Sequence, residues 1–141
     1  MSKIAVVYWS GTGNTEAMAN AVVSGVQEKG AEAKLFTPNN FSADLVAEYS
    51  AIAFGCPAMG AEELEDSEFL PMFDACVPNL NGKKIALFGS YGWGDGEWMR
   101  SWEETCTGAG VVLACDSVIC NDAPDGDAVN ACKALGAALA E

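Results

Sequence analysis

Ser10-Gly11-Thr12-Gly13-Asn14-Thr15 sets four hydroxyl- or amide-bearing side chains around two glycines, directly after the apolar run Ile4-Ala5-Val6-Val7-Tyr8 and directly before a segment of helical periodicity. A strand, a short loop and a helix N-terminus in that order make an anion site. Glycine permits the tight reversal, and the free N–H groups of the first helical turn face a negative ligand. A nucleoside-triphosphate loop needs a lysine after its last glycine, and a dinucleotide fingerprint needs a third glycine where Glu16 stands. The expected ligand is one terminal phosphate held by neutral donors. A lone G-T-G is also read as a polar turn capping a helix, so the remaining loops decide.

Two further segments are unusual. Cys56-Pro57-Ala58-Met59-Gly60-Ala61-Glu62 follows an apolar run, and Ser90-Tyr91-Gly92-Trp93-Gly94-Asp95-Gly96-Glu97-Trp98 follows another. Glycine costs backbone entropy and loop aromatics expose apolar surface, so Tyr91, Trp93 and Trp98 among Gly92, Gly94 and Gly96 need a reason. A flat aromatic ligand between Trp93 and Met59 supplies one. Trp98, at the start of a helix, is instead expected to plug the core.

The elements that must carry these loops follow from periodicity. Mostly apolar runs at residues 3–8, 32–36, 51–55, 84–89 and 111–118 read as strands covered on both faces. Met18, Ala21, Val22, Gly25 and Val26 recur at helical spacing before Gly30, and further helices are expected at 43–48, 67–75, 98–107 and 127–140. The alternation predicts a doubly wound α/β fold, a parallel sheet with helices on both faces, whose ligand sits beyond the carboxyl ends of the strands. All three loops then share one edge.

Composition bounds the function. The 141 residues, half of them hydrophobic, fit one domain spanning 1–141. Met1-Ser2-Lys3 runs straight into the first strand, which gives the expectation of a soluble, cytoplasmic protein. The absence of histidine excludes imidazole acid/base chemistry, and six cysteines without a C-x-x-C pair read as buried free thiols rather than metal ligands. No metal site is expected, and redox work would need a cofactor. Seven Lys plus Arg against 20 Asp plus Glu, a net charge of −13, make nucleic acid and membranes poor partners and a basic protein surface a good one. Five acids lie within residues 62–68, with no Lys or Arg between Lys34 and Lys83.

S-G-T-G-N-T, G-C-P-A-M-G-x-E-E-L-E-D and F-G-S-Y-G-W-G-D-G-E-W-M resemble the three FMN-binding loops of the short-chain flavodoxins, in order and over essentially the whole chain. The resemblance implies five parallel strands in the order 2-1-3-4-5. It also implies noncovalent FMN and a monomeric, low-potential one-electron carrier that substitutes for ferredoxin with ferredoxin-dependent enzymes and reductases. Carried over by position, Ser10, Gly11, Thr12, Gly13, Asn14 and Thr15 hold the 5′-phosphate, and Met59 and Trp93 flank the ring. Gly60 and Ala61 face flavin N5, and Glu62 takes the N3 proton. Pro57, Ala58, Ser90, Tyr91, Gly92, Gly94 and Gly96 complete the loops, with Asn121 near the ribityl or pyrimidine edge. Pro57 removes a hydroxyl that relatives can offer the phosphate, and Ala61 stands where Asp, Asn or Ser is common. A receiver domain of the same fold would need acids where Trp9-Ser10 and Cys56-Pro57 stand. The alternative function is a dedicated flavoprotein activator or reductase partner of one enzyme.

Overall fold

In the computed structural model, which describes residues 3–11, 13–59, 63–92 and 94–140, five strands form one parallel sheet: β1 (Lys3–Tyr8), β2 (Glu32–Phe36), β3 (Ala51–Gly55), β4 (Lys84–Tyr91) and β5 (Val118–Asn121), ordered β2-β1-β3-β4-β5. Helices α1 (Asn14–Glu28), α2 (Phe69–Cys76), α3 (Glu97–Gly108) and α4 (Gly126–Ala140) connect and cover it.

Strand side chains alternate between faces. Ile4, Val6, Ala53 and Phe88 meet Met18, Val22 and Val26 of α1 and Leu135 of α4 on one side. On the other, Val7, Ile52, Phe54 and Leu87 meet Phe69 and Phe73 of α2 and Trp98 and Trp102 of α3. Phe54, Phe69, Phe73 and Trp102 make edge-to-face contacts with ring centroids 5.0–6.5 Å apart. The central strand β3 is buried along its whole length, whereas the edge strands leave Leu35 and Ile119 partly exposed.

Helices α1 and α4 touch backbone to backbone. A Cβ at Gly25 would lie 2.0 Å from the Lys133 carbonyl oxygen, and one at Gly136 would lie 2.2 Å from that of Val22. Both positions require glycine.

Three expectations need correction. The fifth strand is not 111–118 but Val118–Asn121: Val111 is buried and Leu113 makes one isolated bridge to Ile85 before the chain enters the ladder. An apolar run can pack beside a sheet without pairing in it, and composition does not separate the two. The helix expected at 43–48 is a 3₁₀ segment, Ala43–Glu48, since six residues are few for a stable α-helix. β4 runs two residues past Gly89, so Ser90 and Tyr91, read as loop, pair with Cys120 and Asn121.

Candidate functional site

The first loop is shaped by its own side chains. The Trp9 N–H donates to the Gly55 carbonyl (3.0 Å), which fixes the end of β1. Gly13 then takes φ +96°, a left-handed conformation that suits glycine, and starts α1. Ser10 Oγ accepts the N–H groups of Gly13 (3.0 Å) and Glu16 (3.3 Å), leaving its own proton free to donate outward. Thr15 is 1% exposed, and its hydroxyl has no partner among the described residues. A buried unpaired hydroxyl at a helix N-terminus is a costly feature that an anion would satisfy.

The second loop is tied to β4. Cys56 and Ala58 donate their N–H groups to Phe88 O (3.1 Å) and Ser90 O (3.0 Å), and Met59 and Glu63 exchange both backbone hydrogen bonds (2.8 and 2.9 Å). Gly89 permits this approach, because a Cβ there would lie 2.2 Å from the Cys56 carbonyl oxygen. Below the loop, the buried Glu65 carboxylate accepts the N–H groups of Ser67 (2.9 Å), Glu68 (2.8 Å) and Phe69 (2.8 Å), and also the Ser67 hydroxyl. It thereby caps α2. Burial raises its pKa, but the hydrogen bonds from the Ser67 hydroxyl and the three N–H groups outweigh that and hold it at about 2.

The third loop closes against the end of β5. Ser90 Oγ donates to the Asp122 carbonyl (2.6 Å) and the Asp122 N–H donates to Tyr91 O (2.8 Å). Asp122 has φ +55°, the one positive φ among described non-glycine residues. Trp98 is 1% exposed, its indole N–H donating to Cys56 O (3.1 Å), the core plug expected of it.

These loops meet around a cavity of about 230 Å³. The first contributes Trp9, Gly11 and Asn14, the second Pro57, Ala58 and Met59, and the third Ser90, Tyr91 and Gly92, with Asp122 from the end of β5. Ser10 and Gly13 line an adjoining hollow of about 430 Å³ that shares Trp9 and Gly11 with it. Gly94 and Gly96, at φ +84° and +90°, lead into α3, and a Cβ on Gly96 would crowd Ile119 at 2.9 Å. Asn121 donates to Tyr91 O (3.3 Å) and borders a neighbouring groove instead of this cavity. Thr12, Gly60, Ala61, Glu62 and Trp93 lie outside the described residues. Trp9 and Asp122 were missed by sequence reasoning. Their signal was adjacency: Trp9 precedes Ser10, and Asp122 follows Asn121 at a strand's carboxyl end.

The donor set fits FMN. Neutral hydroxyls, an amide and a helix N-terminus suit a phosphate, while Pro57, Met59 and Tyr91 suit a flat ring. Cys56, in the wall of the loop, is no nucleophile: burial pushes its thiol up to about 12.

A family model described as flavodoxin matches residues 6–136. The flavodoxin of Megasphaera elsdenii is 48% identical over 138 residues, 98% of both chains, and that of Clostridium beijerinckii is 42% identical over 96% of this chain and 97% of the relative. The solution structure of two-electron reduced Megasphaera elsdenii flavodoxin superposes with a TM-score of 0.89 at 47% identity, over 97% of this chain and 98% of that one. Sequence and fold agree over nearly the whole length, and the chain belongs to the flavodoxins, FMN-binding electron carriers rather than enzymes.

Proposed function

We propose that residues 1–141 act as one cytoplasmic domain, a low-potential one-electron carrier that stands in for ferredoxin as a monomer and docks on basic surfaces of redox proteins. Ser10, Thr12, Asn14 and Thr15, with the glycines between them, would hold the FMN phosphate. Met59 and Trp93 would enclose the ring, with Pro57, Ala58, Gly60, Ala61, Glu62, Ser90, Tyr91, Gly92 and Asp122 around it. When bound, FMN supplies the redox chemistry, accepting and releasing single electrons. The chain's own part is to orient and to charge the surroundings. Ser10 donates its free proton outward while accepting two N–H groups, Thr15 gains its missing partner, and the Ser90–Asp122 and Met59–Glu63 hydrogen bonds fix the walls. The net charge of −13 makes further negative charge on a bound group costly, which favours a low potential.

The buried Thr15 hydroxyl, without a partner among the described residues, is the observation that carries the assignment. Titration of the apo-protein tests it: FMN should bind far more tightly than riboflavin, which lacks the phosphate, and than FAD, for whose second phosphate no donors are assigned. Equal binding of riboflavin and FMN would reject the phosphate site. The relatives speak for a carrier over a dedicated activator of one enzyme.

One groove supports the docking of a basic partner. A groove of about 430 Å³ next to the second loop is lined by Glu63, Asp74 and Glu97 together with Phe73, Trp98 and Trp102, a lining suited to a cationic side chain with an aliphatic stem.

A further inference from the structure

We propose that Glu68 is a positioning residue for the phosphate loop, acting through Trp9; this rests on the FMN reading above. Glu68 is the residue at the N-terminal cap of α2, yet its side chain makes no cap bond, because Glu65 satisfies the first N–H groups of that helix instead. The Glu68 carboxylate is thereby free to turn away. One oxygen accepts the Trp9 indole N–H (3.0 Å), and the other accepts the Asn39 amide (3.0 Å) from the 3₁₀ turn Pro38–Asn40. A single carboxylate thus joins the end of β1, the segment after β2 and the start of α2.

Trp9 transmits this to the loop. Its ring lies so close to Gly11 that a Cβ there would meet ring carbons at 3.1 and 3.2 Å, and it borders both the 230 Å³ cavity and the adjoining hollow. With its N–H held, the indole has one orientation and gives Gly11 a fixed surface to fold against. Released, the ring can swing and the loop with it. Loop order set before binding lowers the ordering cost of binding. The benefit falls on the phosphate, since the ring of the ligand meets other loops.

The test compares FMN and riboflavin affinities of the apo-protein by flavin fluorescence for wild type, Glu68→Ala, Glu68→Gln and Trp9→Phe. Glu68→Ala and Trp9→Phe should each weaken FMN about fivefold, the worth of one net hydrogen bond, and leave riboflavin nearly unchanged. The double variant should be no weaker than either single one. Glu68→Gln keeps an oxygen for the Trp9 N–H and should stay close to wild type. Unaltered FMN affinity in Glu68→Ala, equal losses for both ligands, additive losses in the double variant, or a Glu68→Gln as weak as Glu68→Ala would each overturn the brace. If Glu68→Ala does not fold, Trp9→Phe alone decides by the same FMN-to-riboflavin ratio. A wild type without preference for FMN would instead remove the phosphate reading and this inference with it.

Discussion

On the FMN reading proposed above, Thr15 is wrong for the empty protein and right for the loaded one. Its buried hydroxyl lacks a partner among the described residues, so replacing it with a methyl removes a polar defect from the apo-protein. Thr15→Val should leave the apo melting temperature unchanged or higher, and weaken FMN binding by about 1.5–3 kcal/mol, the range for a hydrogen bond to a charged group. Thermal melts and FMN titration of the same variant check both signs. Glu65 is the opposite case, fully satisfied in the empty protein. Its folded pKa of about 2 lies below the ordinary 4.5, so its stabilisation is complete above about pH 4.5 and lost as pH falls towards 2. Glu65→Gln should cost about 1 kcal/mol near neutrality, as the loss of a helix cap does, and close to nothing at pH 2. Melting curves across that range would show the two proteins converge.

At the level of elements, the first three strands read correctly because each is short and bounded by turn residues, and the two inner ones, β1 and β3, are apolar without alternation. Gly30 marks the end of α1 as the sequence suggested, at φ +80°. Legibility failed at β5, where Val111 and Leu113 are buried or bridged without being in the ladder, and at 43–48, where local spacing looked helical but the connection allowed only a 3₁₀ turn. The turn that leads from β1 into α1 was legible from local chemistry alone. Glu65, Trp9 and Asp122 were not, since their roles come from residues brought together by the fold. The helix pair α1 and α4 is another tertiary effect: the glycine spacing showed a helix face, not its near-contact with a neighbour. Gly136→Ala should destabilise the protein by roughly 1–3 kcal/mol through overpacking. Because α1 begins at the phosphate loop, displacing it should also weaken FMN binding, and a variant with wild-type stability and affinity would contradict the backbone contact described.

For the molecule as a whole, charge dominates its encounters. A net charge of −13, with acids around the groove between α2 and α3, should make electron transfer to a basic partner fast at low salt and slower as ionic strength rises, since exposed charges are screened over about 10 Å at 0.1 M. Asp74→Asn with Glu97→Gln should flatten that salt dependence in stopped-flow kinetics and leave FMN affinity intact. A salt-independent rate would return these acids to a merely solvated surface.

All six cysteines are free, with Cys56, Cys76, Cys106 and Cys132 buried in the core and Cys115 and Cys120 only partly so. Burial pushes Cys56 and Cys132 up to about 12, the latter with help from nearby Cys120, and Cys76 and Cys106 up to about 11. Thiolate, not thiol, is the reactive form, so at pH 8 these four hold roughly one part in a thousand or less of it. Burial holds these four thiols unreactive. They also become a clock: an alkylating reagent should mark the half-buried Cys115 and Cys120 first, slowed because burial raises their thiols too, and the other four only as fast as the structure opens. Since Cys56 begins the Pro57–Met59 wall of the cavity proposed to hold FMN, saturating the protein with FMN should slow its alkylation more than that of the other three, a difference that peptide mass mapping would read directly.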